Sequence, residues 1–390
     1  MLAASLLVTS CSAPDSAPHC VLDPEQMPAA WRPSGSVQRG LPAQPWSESE
    51  SAEAAFSVRK GVEEMIELYE RRPQAVEDLW EDSVASLVEV TYASANPPEV
   101  DELARDGARE NLTALVQPFL DRSADTATCA DYESVLPLAL HAHNQYQAQD
   151  ERIGHLVGLA NAALQECGSL SAAMGIDYAP LLDSGRASLE EAFDLMLWGL
   201  LLIEAQVVPG LDVPAEARDF PPALWRFFQD YRLPGADRFP EGAEDEEFIE
   251  TAYLATHIAY IPTGNHRYPI YVEDAPGVYE FHRENFYPVL QMGELDLVAE
   301  FVDSLRQYGC TPENDLQVRD GTRYLLDLFH ANGDRWMAYR EPGQTDGDVD
   351  DYDLVHKAWT AVLGVREHAV EDPAPGTYGG VVRGWLPAPQ

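Results

Sequence analysis

From Glu48 onward the apolar residues of this chain recur at intervals of three and four, and no convincing run alternates apolar with polar. That spacing belongs to helices buried along one stripe, and its persistence leaves no place for a sheet. Ala55, Val58, Val62, Ile66 and Tyr69 mark a first helix over 48–71. Pro73 suits the first turn of a second, where a missing N–H is harmless, and this one is expected to run to about Tyr92. Asn96-Pro97-Pro98 is a breaker. Helices are then expected over 99–120, 131–149, 150–166 and 188–205, the last with Ser188 as N-cap and Glu191 as its capping-box partner. Pro221-Pro222 opens a short aromatic helix; others follow near 246–260, 279–291, 294–307, 313–330 and 352–370. Helices in antiparallel pairs joined by short loops make an all-α protein, and an α/α toroid of inner and outer helices is the expected arrangement.

Composition narrows the partners. The 390 residues are 45% hydrophobic, enough for a large core. Lys and Arg number 25 against 66 Asp and Glu, a net charge of −41. Such a surface repels nucleic-acid phosphates and anionic lipid headgroups, so neither is expected as a direct partner. No run is long and apolar enough to span a bilayer; the most apolar, 195–203, is short and closed by Glu204, and reads as a core helix.

The first residues carry an address. Met1 to Val8 is apolar, and Val8-Thr9-Ser10-Cys11 resembles the bacterial lipobox, although no lysine occurs before Lys60. The resemblance implies lipidation at Cys11 and an exported protein held at the cell envelope, touching membrane only through that anchor. Residues 1–20 are then a signal segment, 21–47, rich in Pro, Ser, Ala and Gly, a flexible linker, 48–372 the toroid, and 373–390 an irregular tail. Cys20, Cys129, Cys167 and Cys310 remain, with three possible pairings in an oxidising compartment. Cys129 and Cys167 sit at opposite ends of two consecutive helices, which favours that bridge; Cys310 lies in an inter-helix turn.

Chemistry concentrates near the C-terminus. Asp350-Asp351-Tyr352-Asp353 opens a helix with acids, which suit the positive end of its dipole. Asp353, His356 and Trp359, three residues apart, share roughly one face of it. Asp353-x-x-His356-x-x-Trp359-x-x-x-x-Gly364 resembles the penultimate-helix motif of prenyltransferase β subunits, in which the histidine ligates zinc. Tyr324 to Trp336, with Asn332-Gly333-Asp334-Arg335-Trp336, resembles a repeat of the terpenoid cyclases. The resemblance covers about 244–370 and implies a toroid, with His356 as a metal ligand and Asp353 orienting it. No Asp-x-Cys motif supplies the remaining zinc ligands, so prenyl transfer does not follow.

A second stretch, Thr251 to Arg267, places Tyr253, His257 and Tyr260 along one helix before Pro262 and Gly264 end it. In a toroid His257 would face His356 across the hollow. A metal site of His257, His356 and either Asp353 or His282 suits zinc, iron or another divalent ion. The metal-free alternative has His257 or His356 as general base oriented by Asp353, with Arg267 or Arg323 binding a substrate carboxylate. Tyr253, Tyr260, Arg267 and Trp359 are the substrate-binding candidates. His141, His143 and Asn144 are close in sequence, but two residues apart sends the histidines to different faces. The acid run at 346–351 lacks the glycine and terminal glutamate of an EF-hand loop, and nucleophile triads, P-loops and dinucleotide fingerprints are absent. The expectation is a monomer that acts on a small or apolar substrate in its cavity, with a non-catalytic, ligand- or partner-binding lipoprotein as the alternative.

Overall fold

The computed structural model describes residues 19–33, 44–341, 343–345, 347, 349–369 and 373–386. Cys11 lies outside them. Seventeen α-helices carry the described chain. They begin with α1 (Glu48–Arg71), α2 (Pro73–Leu79), α3 (Asp82–Val88), α4 (Pro98–Leu120), α5 (Tyr132–Gln145) and α6 (Glu151–Cys167). Next come α7 (Leu170–Met174), α8 (Tyr178–Ser184), α9 (Leu189–Ala205), α10 (Ala215–Asp230), α11 (Glu246–Ile258) and α12 (Tyr260–Thr263). The last are α13 (Pro276–Met292), α14 (Leu295–Gln307), α15 (Leu316–Ala331), α16 (Asp351–Val365) and α17 (Tyr378–Arg383). The described residues contain no strand, only an isolated bridge between Ser94 and His368. None of their helices is long and apolar enough to cross a membrane.

Local chemistry sets the boundaries. Ser47 with Glu50, Ser188 with Glu191 and Asp350 with Asp353 close capping boxes at the starts of α1, α9 and α16, satisfying backbone N–H groups that no helical carbonyl can reach. Two expectations need correction. The helix from Pro73 does not run unbroken to Tyr92: Trp80 takes a left-handed φ of 51° and splits it into α2 and α3. Its ring, edge-on to Phe119 at 6.0 Å, shows tertiary packing overriding helix continuity. Pro221 and Pro222 do not open α10 but lie inside it, because burial of Ala217 and Phe220 extends the helix backwards from them.

Consecutive helices pack as neighbours: α4 on α3, α6 on α5, α10 on α9, α13 on α11 and α15 on α14. The first helix touches α2 and α4, but its main partner is distant in sequence. α1 lies along α16, almost three hundred residues later, and α16 also meets α14 and α3. Gly364 allows α16 its close approach, since a Cβ there would stand 2.9 Å from the backbone of Ala299 in α14.

The chain termini depart from the expected linker and tail. Residues 19–33 are seated on the body, with Met27 and Trp31 buried, Cys20 bridged to Cys310, and Trp31 Nε1 donating to Glu280 at 3.2 Å. The expected Cys129–Cys167 bridge is also formed. At the other end α17 buries Tyr378, whose hydroxyl donates to the Ile261 carbonyl at 2.7 Å. Apolar anchors in otherwise Pro- and Gly-rich segments explain both seatings.

Candidate functional site

A cavity of about 490 Å³ is lined from α3, α5, α9, α11, α14, α16 and their flanks. α9 contributes Phe193, Met196, Leu197, Leu200, Leu201 and Glu204, an apolar stripe at helical spacing ending in an acid. α5 adds Pro137, Leu140, His141 and Asn144 in the same rhythm. α3 and its flanks add Glu81, Asp82, Ala85, Val88, Glu89 and Tyr92. Opposite them α16 presents Tyr352, His356, Trp359, Thr360 and Leu363, α11 His257, and α14 Glu300. Leu197 and Tyr352 are half exposed, at 50% and 44%, so both reach from the cavity wall to solvent.

The polar centre is Glu300. Its carboxylate stands 3.6 Å from His257 Nδ1 and 3.9 Å from His356 Nε2, and the Thr256 hydroxyl meets Oε2 at 2.5 Å. Burial raises the Glu300 pKa to about 8, against the opposing pull of His356 and Thr256, so the acid is protonated at neutral pH. The two histidines diverge. Burial takes His257 down to about 4, and its Nδ1–H donates to the Tyr253 carbonyl at 2.8 Å, which leaves Nε2 as a lone pair. At His356 burial works against the charge, but Asp296, Glu300 and Asp82 outweigh it and lift the pKa to about 9. Asp296, on α14 one turn before Glu300, lies 3.3 Å from His356 Nδ1 and accepts from Thr360 at 2.9 Å. Tyr352 stacks on the imidazole at 5.2 Å. Further acids share the wall: burial raises Glu81 to about 7 and Glu89 to about 8, and it also raises Asp82.

The other end of the cavity is a closed ion pair. Arg267 Nη2 donates to Glu204 at 2.6 Å and Nε to the Gly264 carbonyl at 2.7 Å, with the guanidinium between the rings of Tyr92 and Tyr378. Asn144 also donates to Glu204, at 3.1 Å. Arg267 is therefore committed within the protein rather than presented to a substrate carboxylate. Arg323 lines no part of the cavity and pairs with Glu50 at 2.6 Å.

The structure brings His257, His356, Tyr260, Arg267 and Trp359 to one cavity and leaves other candidates outside it. Asp353 does not orient His356: its carboxylate closes the α16 capping box, and Asp296 takes that place. His282 is buried against Phe281 and Phe301, with Nδ1 donating to the Val278 carbonyl. Tyr253 donates to Glu294 at 3.1 Å and does not line the cavity. Neither Asp353 nor His282 joins His257 and His356 to form a divalent-metal set for zinc or iron. Among the described residues, the one group with metal-ligand spacing is His19, Cys20 and Cys310, whose sulfurs are already joined to each other.

Sequence reasoning missed Glu300, Asp296, Glu204 and the α3 acids. A signal existed for the first two: Asp296, Glu300 and Asp303 recur at intervals of four and three in a helix whose other residues are mainly apolar. His141 points into the cavity and His143 does not, as their spacing predicts. No protein family matches this chain, and neither a curated protein nor a solved structure shows similarity to it.

Proposed function

We propose that this protein is an acid/base enzyme acting on a small, neutral, amphipathic substrate enclosed at the centre of an α/α toroid. The toroid reading rests on pairing: α3, α5, α9, α11, α14 and α16 line the cavity, and each is backed by a helix that does not. α1, lying behind α16, completes the sixth pair, and contact between α16 and α3 supports a ring rather than an open layer.

The observation that carries the chemistry is Glu300, a buried protonated carboxyl between a cationic and a neutral histidine. The substrate's apolar body lies along the Leu and Met stripe of α9, and its reacting atom is at Glu300. Glu300 donates the proton, and the carboxylate left behind gains the adjacent His356 charge, held in place by Asp296. His257, neutral with its Nε2 lone pair, accepts a proton in return. Donor and acceptor a few ångströms apart suit isomerisation, elimination or hydrolysis assisted by proton transfer. The two disulfides fit an oxidising compartment, and with the lipobox-like Cys11 they support an exported, lipid-anchored protein.

The test incubates wild type and Glu300→Gln with a panel of neutral amphipathic esters, glycosides and alkenes in D2O, reading turnover and deuterium uptake by mass spectrometry. Turnover by wild type that is lost in Glu300→Gln supports the proposal. Ligands that bind both proteins without turnover would replace it with the non-catalytic, ligand-binding reading.

A further inference from the structure

The chemistry at Glu300 leaves the polar groups at the Arg267 end of the cavity without a task. Glu89 from the flank of α3, His141 and Asn144 from α5 and Tyr260 from α12 all line the cavity. They form one neighbourhood with the Arg267–Glu204 pair. Asn144 and Arg267 both donate to Glu204, and His141 feels the charge of each member of the pair. Asn265, two residues before Arg267, donates to Glu89 at 2.8 Å. Tyr260 joins this end to the reacting centre, its ring lying 4.9 Å from that of His257. Much hydrogen-bonding capacity here is unspent. Neither ring nitrogen of His141, nor the Tyr260 hydroxyl, has a hydrogen-bond partner among the described residues. Glu89 accepts from Trp359 and Asn265, and burial holds its own proton to about 8, so an O–H remains to be given. Polar groups kept out of bulk water with their capacity unmet cost free energy, which a ligand that meets them recovers.

We infer that this end of the cavity is a head-group subsite for a neutral, multiply hydroxylated group, a polyol or sugar, carried by the amphipathic substrate. It rests on the reading of the cavity as a substrate site and adds the chemistry of the substrate's polar half. No net charge faces the head. Arg267 and Glu204 cancel each other, and burial holds the His141 pKa down to about 4, so the imidazole is neutral. An ammonium or a carboxylate would find no counter-charge there. Imidazole, phenol and carboxyl each give one hydrogen and accept another, which is also what an alcohol does. An ether or ketone only accepts and would leave the donors' other half unmet. Several such groups, arriving from different helices, call for several hydroxyls. Leu200 and Leu201, one turn before Glu204, supply apolar surface for the carbon skeleton of the head. The order along α16 fixes the direction of the ligand. Tyr352 stands at the solvent edge, His356 beside Glu300, and Trp359 is bonded to Glu89. Tail, reacting atom and head therefore follow one another inward.

Calorimetric titration of the whole protein with hexyl glucoside, hexanol and hexylammonium chloride tests this. Hexyl glucoside should bind at one site with a Kd of about 0.1–1 mM, and the other two at least about tenfold more weakly. Tyr260→Phe keeps the ring and His141→Leu keeps most of the bulk. Each should weaken hexyl glucoside about three- to tenfold, the share of one hydrogen bond, and leave hexanol unchanged. Glu300→Gln should hold the glucoside within about twofold of wild type. The inference is overturned if hexyl glucoside binds no better than hexanol, or if hexylammonium binds best. It is also overturned if both variants, folded by circular dichroism, bind the glucoside as wild type does, or if Glu300→Gln abolishes binding. Turnover is not read in this titration, so absent catalysis would remove the enzyme reading and leave the subsite standing.

Discussion

Glu300 pays for its burial in stability, and the sign of that effect can be measured. Folded, it keeps its proton to about pH 8, whereas the unfolded chain releases it near the ordinary value of 4.5. Its favourable contribution is therefore complete below 4.5 and is lost as pH rises through 8. Glu300→Gln keeps the shape and removes the titration, so its Tm should gain on wild type steadily between pH 5 and 8. A gain that does not grow with pH would contradict the protonated state. The same substitution should lower kcat about 10²–10⁴-fold, the usual share of a positioned proton donor. Wild-type activity should fall as pH passes 8, where the donor ionises. His356 sets that limit, because its charge pulls the Glu300 pKa down. His356→Gln should move the basic limb of the pH–rate profile upward, a shift that a merely structural histidine would not produce. Little of this was legible in the sequence: the Asp353–His356 spacing drew attention to a histidine that lines the cavity and to an acid that does not. Helical spacing says which side chains share a face, but the partner of His356 comes from another helix sixty residues earlier.

At the scale of elements, patterns were more readable. Ser188 and Glu191 announced the start of α9, and the acids at 350–353 that of α16, because capping satisfies backbone groups that every helix start exposes. Breaks decided by packing were not legible: nothing in the residues around Trp80 requires a left-handed turn. Asp353 caps α16 and takes no part in the proposed chemistry, so Asp353→Ala should cost about 0.5–1 kcal/mol in urea unfolding while kcat is retained. Gly364→Ala should be worse. A methyl group there meets the Ala299 backbone, which cannot swing aside as a side chain would. Separating α14 from α16 should cost about 1–3 kcal/mol and, by displacing Glu300 from His356, lower activity as well. Unfolding and rate measurements on the two variants should part company: one loses stability alone, the other both.

Across the whole molecule, the Cys20–Cys310 bridge closes a loop of 290 residues, against 38 for Cys129–Cys167. Loop-closure entropy grows with length, so replacing Cys20 and Cys310 by serine should cost about 2–5 kcal/mol, more than the same change at the shorter bridge. It should also free residues 19–33 to limited proteolysis, with Met27 and Trp31 leaving their burial. Cleavage as slow as in wild type would mean that packing alone holds the segment. The same end-to-end closure appears in α1, whose long companion is α16. Translation releases α1 well before α16, and at about 5–20 residues per second the interval is tens of seconds. Throughout that wait α1 has only α2 and α4 to pack against, and its main partner is missing. A chain wired this way completes the packing of its first helix only when a helix some three hundred residues downstream has been made, so that joint is closed late.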